Sequence, residues 1–539
     1  MLDNTITSQD AEQGTYILDL PPELLLHILS LVSARDILAF RHTSKRGDAI
    51  SRDHTLWLDL LRWQREYLPL PSIVRDDANL ITLDSISLEG LVVSAQKSCG
   101  NWLKSRQRPL YLGGTPDEPS DILYLDILLD EFVICVHSNG SILAWKVDDI
   151  AHDESPALSW ELWADEPYTS AYACVDEASK IAYVAVTRTQ HPTQTGSTTS
   201  LVTLHLSLEP SSIAEPEDDE ISFCGAQGQI VRAIDVRRQL IAFSRVSFID
   251  VIHWPSKTGM SINTHTDDLE ELVSWNGIIG LSFVDDRLLC IRARSLELYP
   301  LAFPFPEHAS YTVPSSLEPE ELLVVPSAAL IRPVAVYNFI RTNFRTLSLS
   351  SVSVKEFDQP VSTRTTTLFL LGNDVLRGVY QYRIDITDVN GRPDDTDLTT
   401  ILPNLNVSLL SMYTRLDGFV VAVALGPQGR RGALIERTRS STARRVLAFT
   451  CPLTTTAPSS PSSAGGSAAG ALTAESEGKS DDDEQDPVLV SMRDLRPLDV
   501  VDVYNIHSLD LRQDILHLAF SEVTGRIALG TRSGDVRLI

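Results

Sequence analysis

The spacing that comes closest to a chemical motif lies at Gly478-Lys479-Ser480, which is similar to the end of a phosphate-binding loop. Such a loop needs a further glycine five residues before Gly478, because its backbone N–H groups must surround a phosphate. Thr473 stands at that position, within a segment of low complexity. We therefore expect no nucleotide site here.

The sequence also lacks the residue spacings that are typical of catalytic nucleophiles and metal ligands. The sequence contains neither H-E-x-x-H nor G-x-S-x-G, and its twelve histidines are scattered. In Gly530-Thr531-Arg532-Ser533-Gly534 the serine comes one place too late for a nucleophile elbow. We predict no enzymatic activity, no catalytic residue, no metal site and no cofactor. A hydrolase whose carboxylates come together from separate parts of the fold is the remote alternative.

The six cysteines indicate a reducing environment. None of them forms a C-x-x-C pair, and Cys135, Cys174 and Cys290 lie inside apolar runs. Small buried thiols are the usual result of such placement. We therefore expect neither disulfides nor zinc ligands.

Net charge and hydropathy narrow the possible partners. The formal charge is −27, which repels phosphate backbones, so we predict no nucleic-acid partner and regard Lys104, Arg106 and Arg108 as a solvated linker. No run of eighteen apolar residues occurs, and the polar N-terminus is no secretion signal. The expected location is cytoplasmic and/or nuclear, not secreted and not on a membrane.

The elements that could carry a function begin with a short amphipathic helix. Pro21 and Pro22 suit a first helical turn, and Glu23 suits the positive end of the helix dipole. Apolar residues then recur at helical period, namely Leu24, Leu25, Ile28, Leu29 and Val32.

Further start signals predict two or three more short helices. Ser33 and Asp36 form an S-x-x-D signal, and Asp53 is placed to cap a turn that carries Trp57. Gly47 weakens the helix expected between them. So small a module rarely has a large core of its own.

Residues 18–61 resemble the F-box, a helical module that docks substrate receptors onto a ubiquitin-ligase scaffold. The resemblance rests on the order of Leu20-Pro21, Glu23, Ile28-Leu29, Asp36, Leu38, Ser44-Lys45 and Trp57. It implies that the adaptor contacts Leu20, Pro21, Leu24, Ile28, Leu29 and Leu38. Leu25 or Val32 could equally serve the inner core, and Trp57 is expected in that core.

From about residue 115 short apolar runs alternate with turns, which predicts strands. The best unit, 121–149, places Asn139-Gly140 between the strands Phe132–His137 and Ser141–Val147. The last unit, 515–539, repeats this scheme with strands Ile527–Thr531 and Val536–Ile539.

Recurrent units of this kind are typical of a β-propeller and resemble WD repeats. No Gly-His or Trp-Asp dipeptide occurs, and Trp145-Lys146 stands in the place of the second. We expect seven blades, with six or eight as alternatives. Since the last unit ends after a third strand, its outer strand could come from Pro109–Leu112.

The predicted fold is multidomain, first α and then all-β. Its predicted parts are a disordered N-terminus at 1–15, an F-box at 16–62, a helical linker at 63–112 with a helix near 86–104, and a propeller at 113–539. Low-complexity composition predicts a disordered insert at 452–487, with Ser476 and Ser480 as possible phosphorylation sites, and the acidic run Glu215–Glu220 predicts another loop.

These features predict a substrate-receptor subunit of an SCF-type cullin-RING ubiquitin ligase. Its expected partners are the SCF adaptor, through it a cullin, and an unidentified target protein held by the propeller. The alternative is an interaction scaffold without a role in ubiquitin transfer. The acidic composition favours a basic target.

Overall fold

The structure is a computed structural model, and most of the chain is described. The described residues are 17, 20–71, 74, 77–106, 108–112, 120–148, 155–162, 167–189, 196–206, 220–225, 228–264, 276–301, 305, 329–339, 341–357, 363–389, 403–414, 418–439, 441–451, 496–507 and 510–539. The predicted disordered segments 1–15 and 452–487, Ser476, Ser480 and residues 215–219 lie outside this part.

The chain divides into two compact units. One comprises Met1–Trp102 with Val523–Gly525, and the other comprises Leu103–Glu522 with Arg526–Ile539. The predicted domain bounds at 15, 62 and 112 stay predictions.

Six helices form the first unit. They are α1 (Pro22–Ser30), α2 (Ala34–Arg41), α3 (Lys45–Ser51), α4 (His54–Arg65), α5 (Asp77–Thr82) and α6 (Ser85–Trp102). Three of them begin at side-chain caps, because the first N–H groups of a helix have no partner within it. Ser33 accepts from the N–H of Asp36, and Asp53 accepts from that of Thr55. These starts, and the helix expected near 86–104, confirm the sequence predictions.

The core of this unit is built around α4. Trp57 is fully buried, as predicted, and its indole N–H donates to the carbonyl of Ser51 at 2.8 Å. The bond ties α4 to the end of α3, so a buried polar group is satisfied where the two helices meet.

The third helix, α3, forms in full although Gly47 weakens its intrinsic propensity. Its cap Ser44 accepts from the N–H of Gly47 at 2.9 Å. A β-carbon on Gly47 would lie only 2.9 Å from the carbonyl oxygen of Phe40. Glycine therefore permits the close approach of α3 to the end of α2, and this packing outweighs its poor helix propensity.

The second unit is a seven-blade β-propeller, as predicted. Each blade is an antiparallel sheet, with its strands in the order A, B, C and D along the chain except where noted. The first four blades are β2 (Ile122–Leu128), β3 (Phe132–His137), β4 (Ser141–Lys146), β5 (Leu158–Glu161); β6 (Tyr168–Asp176), β7 (Ile181–Thr189), β8 (Ser197–His205), β9 (Glu220–Gly225); β10 (Ile230–Asp235), β11 (Leu240–Arg245), β12 (Phe248–His253), β13 (Thr258–Asn263); and β14 (Ile278–Val284), β15 (Arg287–Arg292), β16 (Ser295–Pro300), β18 (Ala335–Asn338).

The last three blades include the longest strands. They are β19 (Phe344–Leu349), β21 (Thr363–Asp374), β22 (Gly378–Val389), β23 (Asn404–Tyr413); β24 (Gly418–Leu425), β25 (Arg431–Thr438), β26 (Ala443–Thr450), β28 (Val500–His507); and β29 (Ile515–Phe520), β30 (Ile527–Thr531), β31 (Val536–Leu538), β1 (Leu110–Tyr111). Three short strands add to blades 3 and 5, namely β17 (Ala329–Leu330) beside β13, β20 (Ser353–Phe357) beside β21 and β27 (Arg496–Pro497) beside β23.

The ring closes as the sequence predicted, with an outer strand from the N-terminal side of the propeller. β1 pairs antiparallel with β31, so that Leu110 lies opposite Leu538. Arg106 reinforces the closure, because its N–H donates to the carbonyl of Val503 and its guanidinium donates to Ile539. The pairing covers the outer edge of β31 and gives the last blade its fourth strand.

The predicted hairpins are present, with one difference in backbone geometry. Gly140 and Gly534 have φ of +94° and +93°, the region that glycine enters without steric cost. Asn139 keeps a negative φ, although the Asn-Gly pair predicted a positive value at both positions. The turn is set by tertiary contact, because the N–H of Asn139 donates to the hydroxyl of Ser120 at 3.1 Å.

The described part of the chain contains no helix that is both long and apolar enough to span a bilayer.

Candidate functional site

The first helix, α1, is the element in which the sequence placed a docking surface. Its N-cap Pro21 has an extended backbone with φ −53° and ψ 146°, and Pro22 begins the helix. The guanidinium of Arg46 donates to the carbonyl of Leu20 at 2.9 Å, which fixes the approach to α1. The Leu-Pro opening is therefore held by α3.

The apolar residues of α1 point in two directions. Leu25 and Leu29 are 1% and 5% exposed, and Leu29 belongs to the core around α4. Leu24 and Ile28 are 51% and 37% exposed. Because neighbouring residues on a helix are about 100° apart, each adjacent pair divides between core and surface.

The outward residues form a continuous row, which we call the α1 stripe: Pro21, Leu24, Ile28 and Leu31. All four are exposed, and Leu31 most of the three large apolar side chains at 75%. Their spacing of three, four and three residues keeps them on one helical face. A stripe of this kind is the surface that a second protein could cover.

The remaining predicted contact residues fall into different positions. Leu20 and Leu38 are partly buried, whereas Leu29 is sealed within its own module. A side chain in that core cannot be presented to an adaptor without unfolding the module, so Leu29 is withdrawn from the predicted surface. Of the two alternatives for the inner core, Leu25 serves it and Val32 stays 36% exposed.

Leu31 was not among the predicted contact residues, because the prediction considered only the apolar positions that repeat from Leu24 to Val32. It lies three residues after Ile28 and seven after Leu24, so the helical period alone could have identified it. Its position at the C-cap of α1 places it at the end of the same face.

Cys135 and His137 form the pair most similar to a nucleophile and its base, and they lie far inside the propeller. The thiol Sγ of Cys135 lies 3.4 Å from Nε2 of His137, and both residues are fully buried. Burial raises the pKa of the Cys135 thiol and lowers the pKa of His137. Both groups therefore favour their neutral forms, which opposes nucleophilic attack by a thiolate.

Metal-ligand chemistry has no evident centre in the described ranges. Within them, no three or more His, Cys, Asp or Glu residues are grouped so that they could hold a metal ion. Burial raises the pKa of the partly buried Cys174 thiol to about 11 and that of the fully buried Cys290 thiol to about 12. Burial thus stabilises their protonated form.

Comparison with known proteins matches the helical segment to one family and the propeller unit to solved structures of low sequence identity. Residues 17–62 match the F-box-like family. No curated protein matches the chain. Among solved structures, the WD40 β-propeller domain of Doa1 is 11% identical, with 80% of this chain and 97% of that chain covered at a TM-score of 0.39. The C-terminal WD40 domain of Sif2 is 8% identical, with coverages of 81% and 98% at a TM-score of 0.40.

Proposed function

We propose that this chain, an F-box-like module followed by a seven-blade propeller, is the substrate-receptor subunit of an SCF-type cullin-RING ubiquitin ligase. An F-box-like module joined to such a propeller indicates a role in protein interaction. In the proposal the module binds the SCF adaptor and, through it, a cullin, while the propeller binds a target protein. Modules of both kinds are typically non-enzymatic, so ubiquitin transfer is assigned to partner subunits.

The observation that carries the proposal is the α1 stripe. Three large apolar side chains stay exposed on one face of a helix whose other face is buried, and they lie within the segment that matches the F-box-like family. Contiguous exposed apolar surface is characteristic of a contact site. Leu20 and Leu38, each partly exposed, are proposed to extend this surface.

The energetics of the stripe suit a reversible contact. Full burial of one leucine or isoleucine contributes about 1.5–3 kcal/mol. Since Leu24 and Ile28 are already about half and two-thirds buried, each would gain a fraction of that amount. Association opposes the gain by several kcal/mol. The stripe therefore needs the surrounding residues of the module to reach the roughly 1,600 Å² of a typical stable interface.

The physical role of such a receptor is proximity. A protein that holds a target beside a charged conjugating enzyme raises the effective concentration of the target lysine. The receptor needs two separate surfaces for this task and no catalytic group of its own. A helical module and a propeller within one chain provide two such surfaces.

Adaptor capture tests the proposal. We expect Leu24→Asp and Ile28→Asp each to abolish co-purification with the adaptor, because a carboxylate would be buried in an apolar contact without a partner. Ile86→Asp is the matched control, since Ile86 is 75% exposed on α6 and lies outside the stripe. Far-UV circular dichroism and thermal unfolding should show all three variants folded. Retained binding by both stripe variants would refute the proposed surface.

The scaffold alternative is separated by the composition of the captured complex. A substrate receptor should bring down both the adaptor and a cullin from purified components. A complex that contains the adaptor but excludes the cullin would favour a scaffold without a role in ubiquitin transfer.

A further inference from the structure

The propeller has two faces whose chemistry can be read from its topology. In an antiparallel blade the A–B and C–D turns lie on one face, and the B–C turns and the D–A connections lie on the other. We call the second one the B–C face. The innermost strands of successive blades contact each other in chain order. Neighbours on this face therefore follow the sequence of blades.

Hydrogen bonds between turns confirm which segments share the B–C face. In blade 1 the N–H of Ser138 donates to the carbonyl of Asp121 at 2.8 Å. The N–H of Arg294 in blade 4 donates to the side-chain oxygen of Asn276, also at 2.8 Å. In blade 7 the N–H of Arg532 donates to the carbonyl of Asp514 at 2.9 Å.

Blades 4 to 7 carry a run of exposed arginines on this face, which we call the arginine arc. The B–C turn of each of the four blades contributes one of them, two of the D–A connections contribute one each, and one lies near the end of β25. The members are Arg294, Arg341, Arg377, Arg437, Arg439, Arg512 and Arg532. Their concentration contrasts with a chain whose formal charge is −27.

Little described negative charge opposes the arc. Among the described residues of the same turns and connections, Asp510 is the one acidic residue that is fully exposed, and Asp535, in the turn that carries Arg532, is partly exposed and accepts from the hydroxyl of Ser533. Asp374 and Asp514 lie close by but are each 4% exposed. Asp514 pairs with the buried Arg444 and also lies 4.0 Å from the guanidinium of Arg437, a member of the arc, whereas Asp374 accepts from the backbone N–H of Asn343 at 2.8 Å.

Most of the arc's guanidinium groups have no carboxylate partner within the part of the chain that the structure describes. Arg294, Arg377, Arg439, Arg512 and Arg532 form no salt bridge with a described acidic residue. Arg377 donates to the carbonyl of Arg341, and Arg439 lies over the ring of Phe419 at 4.7 Å from its centre. These contacts orient the side chains without neutralising their charge.

The opposite face provides the comparison. Its described turns expose bases and acids in similar numbers. The exposed bases are Lys180, Arg237, Lys257 and Arg332, and the exposed acids are Glu131, Asp148, Glu177, Asp286 and Asp499. Among the described turns and connections, an excess of exposed positive charge thus occurs on the B–C face only.

We propose that the arginine arc binds a carboxylate-rich peptide segment of the target protein. This inference rests on the proposed receptor function and assigns the chemistry of its target. The arginines are distributed over four successive blades, so they suit successive Asp and Glu side chains along an extended segment. Guanidinium groups pair with carboxylates in a bidentate manner, which fixes direction as well as affinity.

The same placement argues against two other anions. A single phosphate needs several donors that converge on one point, whereas the arginines of the arc belong to four successive blades. A nucleic acid would bring a continuous phosphate backbone towards a protein of charge −27, which opposes its approach. The expected target segment is therefore an acidic stretch, in contrast with the basic target that overall charge predicted.

Fluorescence anisotropy with the full-length protein tests the assignment. The probe is a labelled peptide of alternating Glu and Gly, about twelve residues long, which can extend over roughly 40 Å. The comparison probes are its Gln–Gly counterpart, a Gln–Gly peptide with one phosphoserine, and an RNA of equal length. Low salt is used, because screening weakens exposed pairs.

Two arc variants and one control complete the design. Replacing Arg294, Arg377, Arg439 and Arg532 together by Gln should weaken binding of the Glu–Gly peptide about tenfold, and replacing them by Glu should abolish it. The control combines Lys180→Glu, Arg237→Glu and Lys257→Glu on the opposite face and should bind as the wild type does. Thermal unfolding establishes that each variant is folded.

The outcomes separate this inference from the proposed function. Equal affinity for the Gln–Gly peptide, an unchanged arc variant, or a control weakened as much as the arc variants would overturn the arc. So would tighter binding of the phosphoserine peptide or the RNA. The arc variants should still capture the adaptor, because α1 is unchanged. If the arc variants lose the Glu–Gly peptide but the wild type never captures the adaptor, the arc is supported and the receptor proposal is refuted.

Discussion

His517 on β29 links the stability of the propeller to pH. Burial lowers its pKa from the usual value of 6.5 to about 4. The carboxylate of Asp121 opposes this shift, and the nearby His137 adds to it. The folded protein therefore resists protonation of His517, while the unfolded chain accepts the proton at its ordinary pKa. Replacing His517 by Gln removes this difference.

The magnitude follows from linkage. Above about pH 6.5 both states leave the imidazole neutral, so it has no effect on the free energy of unfolding. As pH falls towards 4 the unfolded chain binds a proton that the folded protein does not, and stability decreases. With pKa values of 6.5 and about 4, the loss between pH 7.5 and pH 5.5 is about 1.3 kcal/mol, and its limit at low pH is about 3 kcal/mol.

Urea unfolding followed by tryptophan fluorescence measures this loss at both pH values. We expect His517→Gln to lose about 1.3 kcal/mol less stability than the wild type over that interval. His205→Gln, at an exposed position on β8, is the control and should retain the wild-type pH dependence. If His517→Gln and the wild type lose equal stability, the reasoning from burial is refuted.

The remaining predictions concern α3 and the low-complexity insert. Gly47→Ala should lower the free energy of unfolding by about 1–2 kcal/mol in chemical denaturation, because the clash with Phe40 exceeds the gain in helix propensity. Gly90→Ala on α6 is its control and should stabilise, since nothing lies within 4 Å of the added carbon; a stabilising Gly47→Ala would contradict the packing argument. Deletion of 455–486 should leave the melting temperature unchanged within error in calorimetry, because its composition offers little apolar surface to bury. A large drop would show that the segment contributes to the folded core.

Much of the fold followed from local chemistry in the sequence. Ser33 and Asp53 began helices where their side chains could cap free N–H groups, and Gly140 and Gly534 supplied the turns that their φ values require. The outer strand near Pro109–Leu112 was also predictable, because the last unit is one strand short of a blade. These features depend on neighbours within a few residues or on counting strands.

Assignment of the docking residues depended on tertiary packing as well as on the helical period of the apolar residues. Leu24 and Leu25 are the same residue type, and Ile28 and Leu29 are apolar side chains of equal size. One member of each pair is nevertheless buried and the other exposed. The sequence identified a helix with apolar residues on more than one side. Only the position of α4 against that helix decided which side became the core.

The amino-acid sequence by itself therefore determined an F-box-like helical segment, strands grouped into blades and the strand that closes the ring, because capping, periodicity and turn residues act over short distances. Tertiary structure decided that Leu29 faces inward, that Gly47 is compatible with a helix, and that seven arginines from distant parts of the chain share one face. Those outcomes depend on which segments meet after folding. Packing and topology fix such meetings, and no local pattern records them.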